Sequence, residues 1–233
     1  MYPNQILPVA LEMTEIKSIK NAVKQTLEKF GTIDVLFNNA GKGMRSAIEE
    51  GNDQEVLDLF ELNFFGPVKL IKEVLPIMRE KRSGTIINIS SLGAVNVNPG
   101  SGYYSASKGA LENMTFALSK EVSPLGIKVI LVEPGPFRTE FRVASLSSAH
   151  LSISDYDHTS GAVMKRYKEN PYNQSGDPDK AGKAIVEIVE NEKDPKIILL
   201  GKGMIEQEEK VLLDRIEEIK NWRQYTDHVD FDE

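Results

Sequence analysis

A chain of 233 residues and 26.0 kDa can bury the core of one sizeable α/β domain, and no composition break along it marks a second. Its net charge of -7 and pI near 5.2 exclude the concentrated basic face that nucleic acid or an anionic membrane requires, and suit a cytoplasmic protein. With no cysteine there is no disulfide, thiol nucleophile or Cys-ligated zinc; Met1 to Gln5 lacks the pattern of a secretion signal, and no apolar run reaches bilayer length.

The first strand is predicted at Ile6–Leu11, closing in Leu11-Glu12-Met13-Thr14 ahead of a helix. In that helix Ile16, Ile19, Val23, Leu27 and Phe30 recur at three- and four-residue steps, and Gly31 supplies the stop. Ile33–Phe37 reads as the second strand. Asn38-Asn39-Ala40-Gly41 follows it directly, small and amide residues that let backbone approach a ligand at a strand's carboxyl end. A helical stretch from about Asp53 to Arg82 is interrupted at Gly66-Pro67, where the proline lacks an amide and its ring clashes with the preceding turn; Asn63 stands just before that break. Thr85–Ile89 and Lys128–Glu133 are apolar, β-branched runs typical of buried strands, and Pro134-Gly135-Pro136-Phe137-Arg138-Thr139 follows the second of them.

From Pro136 to Gly176 no clear periodicity appears, which marks a lid or substrate loop. Its Phe141, Leu146, Leu151, Ile153 and Tyr156 suggest a partly apolar substrate, whereas His150 and His158 read as ordinary surface or hydrogen-bonding residues. Asp177-Pro178 is an N-cap with proline in the first helical position, and Ala184, Ile185, Ile188 and Val189 give that helix a buried face. A last strand at Lys196–Leu200 precedes a charged helix from Met204 to Tyr225, whose stripe of Val211, Leu212, Ile216, Ile219 and Trp222 is expected to pack on the domain or on a twin subunit. The alternation of strands and helices predicts a single α/β domain over residues 1–233, with a doubly wound parallel sheet.

The chemistry concentrates on four residues. Tyr104 and Lys108 lie four apart, one above the other on a helix; Ser91 precedes the tyrosine by 13 residues and Asn63 precedes the serine by 28. Free tyrosine has a pKa near 10, so it needs help to exchange protons at neutral pH. An ammonium about 5 Å away at an effective dielectric near 20 favours phenolate by roughly 3 kcal/mol, about two pKa units. Ser91, at the end of a strand, is placed to hydrogen-bond the same substrate oxygen, and Asn63 to hold water linking Lys108 to solvent. Tyr103 and Ser90 lack these spacings. A Tyr-x-x-x-Lys pair alone also arises by chance on exposed helices; the flanking segments give it meaning.

Together these segments resemble the short-chain dehydrogenase/reductase family, from about Ile6 to the C-terminus. The resemblance implies a Rossmann-like fold and an oxidoreductase that interconverts a secondary alcohol and a ketone with NAD or NADP. It implies Tyr104 as proton donor or acceptor, and Lys108 as the group that lowers its pKa and holds the nicotinamide ribose. Ser91 would orient the substrate oxygen and Asn63 would serve the proton relay. Asn38, Asn39, Ala40 and Gly41 would line the adenosine-ribose side, and Pro134, Gly135 and Thr139 the carboxamide. Glu12 would lie near adenine, where the family usually has aspartate. Phe141 and Tyr156 are carried as substrate-side candidates, no metal site is expected, and a homodimer or homotetramer is implied by the small surface at Gly109-Ala110 on the Tyr104 helix.

One family element is missing from the sequence, the Gly-x-x-x-Gly-x-Gly turn that receives the pyrophosphate at a helix N-terminus. The Gly-x-Gly pairs Gly41/Gly43, Gly100/Gly102 and Gly201/Gly203 have Phe37, Asn96 and Ile197 at the required earlier position. Gly176 to Lys183 has the wrong spacing for a phosphate loop, and Ala184 follows its lysine. By resemblance Met1 falls just before the family's third strand, so the family order 3-2-1-4-5-6-7 would lack strands 1 and 2. The expectation is then an incomplete piece of a longer protein that binds dinucleotide poorly, or an N-terminal strand that moves in beside Ile33–Phe37. The residues that choose NAD or NADP lie in the absent part. Two other functions compete: a non-catalytic member that has lost dinucleotide binding and acts as a subunit, and an epimerase or dehydratase of the related extended group. The intact Asn63, Ser91, Tyr104 and Lys108 argue against the first, and Asn38 to Gly41 with the short C-terminal part against the second.

Overall fold

A computed structural model describes residues 4–141, 145–148, 153–170, 172–191, 193–226, 229 and 231. Four parallel strands form the central sheet in the order β1-β3-β4-β6, with β1 at Val35–Asn38, β3 at Gly84–Ile89, β4 at Ile127–Pro134 and β6 at Ile197–Leu200. Register is set by Val35 opposite Thr85, Gly84 opposite Ile127 and Leu131 opposite Ile197. A second parallel pair joins β2 (Gly43–Arg45) to β5 (Leu146–Ser148), about a hundred residues apart in sequence.

Helices cover both faces of the sheet, as an all-parallel sheet requires. Ile86 on one face of β3 packs with Ile19 and Val23 of α1 (Ile16–Phe30), Ile71, Val74 and Met78 of α3 (Gly66–Lys81) and Leu118 of α4 (Gly102–Val122). Ile87, its neighbour, packs on the other face with Ile130, Val132 and with Ile185, Ile188 and Val189 of a helix at Pro178–Glu190. The side-chain alternation of one strand thus joins the two halves of the core.

The broken helix resolves into α2 (Asp53–Phe60), a π-helical turn at Glu61–Phe65 and α3. Pro67 occupies the first turn of α3, where its missing amide and ring would disrupt an uninterrupted helix, and the wider turn ahead of it takes up the mismatch. Asn63 therefore stands inside the break and is completely buried.

One expectation is corrected. Ile6–Leu11 forms no strand, either in the sheet or beside β1; it runs without a ladder partner along the helix layer. Lys29 Nζ donates to the Ile6 carbonyl at 3.0 Å and Lys69 Nζ to that of Thr14 at 3.1 Å, while Met13 is buried against α1 and α3. Pinned at Met13 and Thr14 to the helices, the segment is held away from the edge of β1, whose Val35 and Phe37 remain 42% exposed. The C-terminal helix runs over Met204–Asn221 with a short continuation at Arg223–Thr226; in its stripe Val211 is half-buried, while Leu212, Ile216, Ile219 and Trp222 are exposed. The stretch between Pro136 and Gly176 is more ordered than its sequence suggests, holding β5, turns over Ser154–Gly161 and α5 (Ala162–Glu169), and closed by a bridge between Phe137 and Gly176. His150 and Leu151 lie outside the described residues.

Candidate active site

The inner face of α4 carries a row of polar residues where a helix of this kind would ordinarily be apolar. Tyr104 is 9% exposed and Lys108 4%, with Ser107, Glu112 and Thr115 buried beside them. Lys108 Nζ donates to the Ile89 carbonyl at 2.8 Å, which ties the ammonium to the carboxyl end of β3. The chain then passes through Ser90 to Ser91, which caps the short turn Leu92–Ala94 by accepting from Gly93 N at 3.0 Å. Ser91 also hydrogen-bonds the Tyr104 phenol. The serine and the tyrosine thus meet at one point although they come from a strand end and a helix.

Asn63 reaches the same point from below. Its Oδ1 accepts from Lys42 N at 2.9 Å, and its Nδ2 donates to the Lys42 carbonyl at 2.9 Å and to Ser107 Oγ at 3.0 Å. Ser107 Oγ in turn donates to the Tyr104 carbonyl at 2.8 Å. Gly41 lets these groups approach: a Cβ there would stand 3.3 Å from Asn63 Oδ1 and 3.4 Å from Lys108 Nζ. One Nδ2 hydrogen of Asn63 is thus committed to the loop after β1 and the other to α4, and only the second lone pair of Oδ1 remains for water.

Burial acts first on the proton affinities. It pushes the Tyr104 phenol above its usual pKa, against the Ser91 hydrogen bond and the positive charge of Arg45, which both pull it down. The positive charge that pulls the phenol down most is that of Arg45. Lys108 is itself lowered to about 8, because burial disfavours its charge more than Glu112 supports it. Beneath it lie three carboxyls. Ser90 Oγ donates to Glu112 Oε1 at 2.6 Å, and Glu133 is pushed up to about 9 by burial and by its neighbours Glu208 and Glu112. Glu112 is raised as well, chiefly by burial, so the group holds protons that exposed carboxyls would have lost.

A cavity of about 550 Å³ opens along the carboxyl ends of β1, β3 and β4. Asn39, Gly41, Ser91, Tyr104, Lys108, Pro134, Gly135, Thr139 and Phe141 line it together. The other sequence candidates lie elsewhere. Asn38 turns into the core, its Nδ2 donating to Asn88 Oδ1 at 2.8 Å, and Asn88 continues to Thr115 Oγ1 at 2.9 Å. Ala40 is outside the lining, Glu12 is exposed and binds Thr14 N and Oγ1, and Tyr156 Oη donates to Glu49 Oε2 at 2.6 Å on the surface.

The model of the family described as short chain dehydrogenase matches residues 2–149. The chain is a short-chain dehydrogenase. A 3-ketodihydrosphingosine reductase of Bacteroides thetaiotaomicron is 39% identical over 191 residues, 80% of this chain and 70% of that protein. The crystal structure of a short-chain dehydrogenase from Streptomyces avermitilis superposes with a TM-score of 0.90 at 36% identity, covering 98% of this chain and 82% of the other. An alcohol dehydrogenase from the archaeon Thermococcus sibiricus, complexed with 5-hydroxy-NADP, matches with a TM-score of 0.64 over 82% of this chain and 72% of the other; at 22% identity that likeness is one of fold.

As a short-chain dehydrogenase the protein is an oxidoreductase that works with NAD or NADP. The residues lining the cavity fit the nicotinamide half of that cofactor. Lys108 is buried with one hydrogen bond to the protein, leaving donors for ribose hydroxyls, and the close approach at Gly41 leaves backbone rather than side chain against the ligand. The glycine-rich turn for the pyrophosphate is not among these 233 residues. Sequence reasoning missed Arg45 and Tyr167, which also line the cavity of this short-chain dehydrogenase. No periodicity singles out either one, and only the pairing of β2 with β5 and the packing of α5 bring them to Tyr104.

Proposed function

We propose that this short-chain dehydrogenase interconverts a ketone and a secondary alcohol, with Tyr104 exchanging the proton at the substrate oxygen. The observation that carries the reading is the convergence of Tyr104, Ser91 and Lys108 on one cavity wall, with Asn63 behind them. A nicotinamide dinucleotide, when bound, supplies or accepts the hydride. Ser91 orients the substrate oxygen beside the phenol. A buried phenol whose pKa lies above its usual value holds its proton at neutral pH, which suits Tyr104 as the acid in ketone reduction. Lys108, still charged below about pH 8, holds the ribose and passes a proton toward Tyr104, with Asn63 Oδ1 holding the water behind it. The name of the Bacteroides reductase, a ketone reductase, supports the same direction.

The substrate is a small molecule with an apolar part facing Phe141. The protein acts in the cytoplasm as a homodimer or homotetramer; no helix among the described residues is long and apolar enough to cross a membrane, and the open space at Gly109 leaves α4 free to meet a twin. Lys108→Met tests the reading. It removes the charge while filling the same volume, so titration with reduced cofactor is expected to give at least tenfold weaker binding, and ketone reduction is expected to fall further still. Unchanged cofactor binding would remove Lys108 from the cofactor site, and no measurable binding by the wild type would favour a role as a non-catalytic subunit instead.

A further inference from the structure

Arg45, at the end of β2, brings a guanidinium into the wall of the cavity that holds Tyr104, Ser91 and Phe141. Its Cζ lies 4.6 Å from the centre of the Tyr167 ring and 5.8 Å from that of Tyr104, so the cation stands between two aromatic faces. Its Nε and Nη1 are enclosed and have no hydrogen-bond partner among the described residues, nor does the guanidinium enter an ion pair there. A guanidinium stays charged at any physiological pH and presents its donors as a rigid planar fork, so burying one edge of it unsatisfied is unfavourable unless something completes it. The aromatic faces satisfy the charge in part and leave these two in-plane donors unpaired. A carboxylate matches that fork with two parallel hydrogen bonds.

We infer that Arg45 is a specificity-determining residue that receives a carboxylate carried by the substrate, so that the molecule reduced at Tyr104 is a short oxo-acid. The inference rests on the ketone-reducing reading and narrows its substrate class. The carboxylate and the reacting carbonyl lie a few bonds apart, because the guanidinium carbon stands 5.8 Å from the centre of the Tyr104 ring and both residues line the same cavity. Phe141 and Leu146 take the methylenes between and beyond them.

The test uses the full 233-residue protein and two matched pairs, 4-oxopentanoate and 5-oxohexanoate, each beside its neutral methyl ester. Calorimetric titration without turnover comes first, followed by kcat/KM for reduction at saturating reduced cofactor. The wild-type protein is expected to bind one acid at least tenfold more tightly than its ester. In the calorimetric titration Arg45→Leu should weaken binding of that acid about thirtyfold or more, as loss of one partner of a buried charge pair does, and leave binding of the ester within threefold. Arg45→Lys keeps the charge without the fork and should recover part of the loss. It also serves as the second variant if Arg45→Leu does not fold, its acid binding then expected to fall between those of the wild type and a site without acid preference. Equal binding of acid and ester by the wild type at both lengths, or equal weakening of both by Arg45→Leu, would overturn the inference; the latter pattern, with a shifted pH profile for the ester, would make Arg45 a positioning residue for Tyr104. Arg45-dependent acid binding without any reduction, by protein that titration shows to be loaded with reduced cofactor, would instead overturn the ketone-reducing reading and leave the anion site standing.

Discussion

Asn63 is completely buried and bonded on three sides, and those bonds hold the backbone after β1 against α4. Asn63→Ala orphans both the amide and the carbonyl of Lys42, and each buried group left unsatisfied costs about 1–3 kcal/mol. The expected loss is on the order of 2–4 kcal/mol in a urea melt; a loss below about 1 kcal/mol would mean that the side chain is not a structural clamp. Glu133 gives a second prediction, at a group raised from its ordinary value of 4.5 to about 9. The folded protein then binds a proton that the unfolded chain releases, so the contribution is fully present below about pH 4.5 and is lost as pH rises through 9. Between pH 5 and 8, below the region where Lys108 loses its charge, Tm of the wild type should fall with pH, and Glu133→Gln should flatten that slope and raise Tm at pH 8. A parallel slope in the variant would remove Glu133 from the account. Of the site residues, Tyr104, Lys108 and Ser91 are legible because helix geometry and a strand end fix them locally. Asn38 and Glu12 lie away from the cavity lining, because sequence does not say which way an amide at a strand end turns, nor that Glu12 bonds Thr14.

The π-helical turn and the start of α3 position Asn63, and they are held by a close backbone contact. A Cβ on Gly66 would stand 2.9 Å from the Met13 carbonyl and 3.2 Å from Met13 Cβ. The carbonyl belongs to backbone and cannot swing away, so Gly66→Ala should destabilise by about 1–2 kcal/mol even after the gain of roughly 1 kcal/mol in helix propensity. A neutral or stabilising result in the same urea melt would show that the N-terminal segment yields freely. The central strands and α1, α3 and α4 follow from periodicity, because each buries one continuous face. Ile6–Leu11 has a strand's composition and forms none, since a run of apolar residues becomes a strand only beside a ladder partner, and Met13 and Thr14 hold this one on the helix layer. The stripe on Met204–Asn221 is amphipathic in sequence, yet most of it stays exposed, and no pattern within the helix itself can say whether the domain or a twin subunit covers it.

As a whole the molecule is a parallel sheet between two helix layers, with its cavity where the carboxyl ends of β1, β3 and β4 meet the segment from Pro136 to Gly176. The sheet supplies Ser91 and the Lys108 anchor at Ile89, the buried face of α4 supplies Tyr104 and Lys108, and the β2–β5 pair carries Arg45 to their side. Arg45 and Tyr167 are separated by more than a hundred residues and meet only in three dimensions, which is why the substrate wall is the part least visible in sequence. The claim on which the rest depends is that Tyr104 exchanges the substrate proton. Tyr104→Phe removes one buried hydroxyl and keeps the ring. With millimolar reduced cofactor, its kcat for ketone reduction should fall by about 10²–10⁴ while cofactor affinity and Tm stay close to wild type. Turnover within tenfold of wild type, with the fold intact, would contradict the assignment.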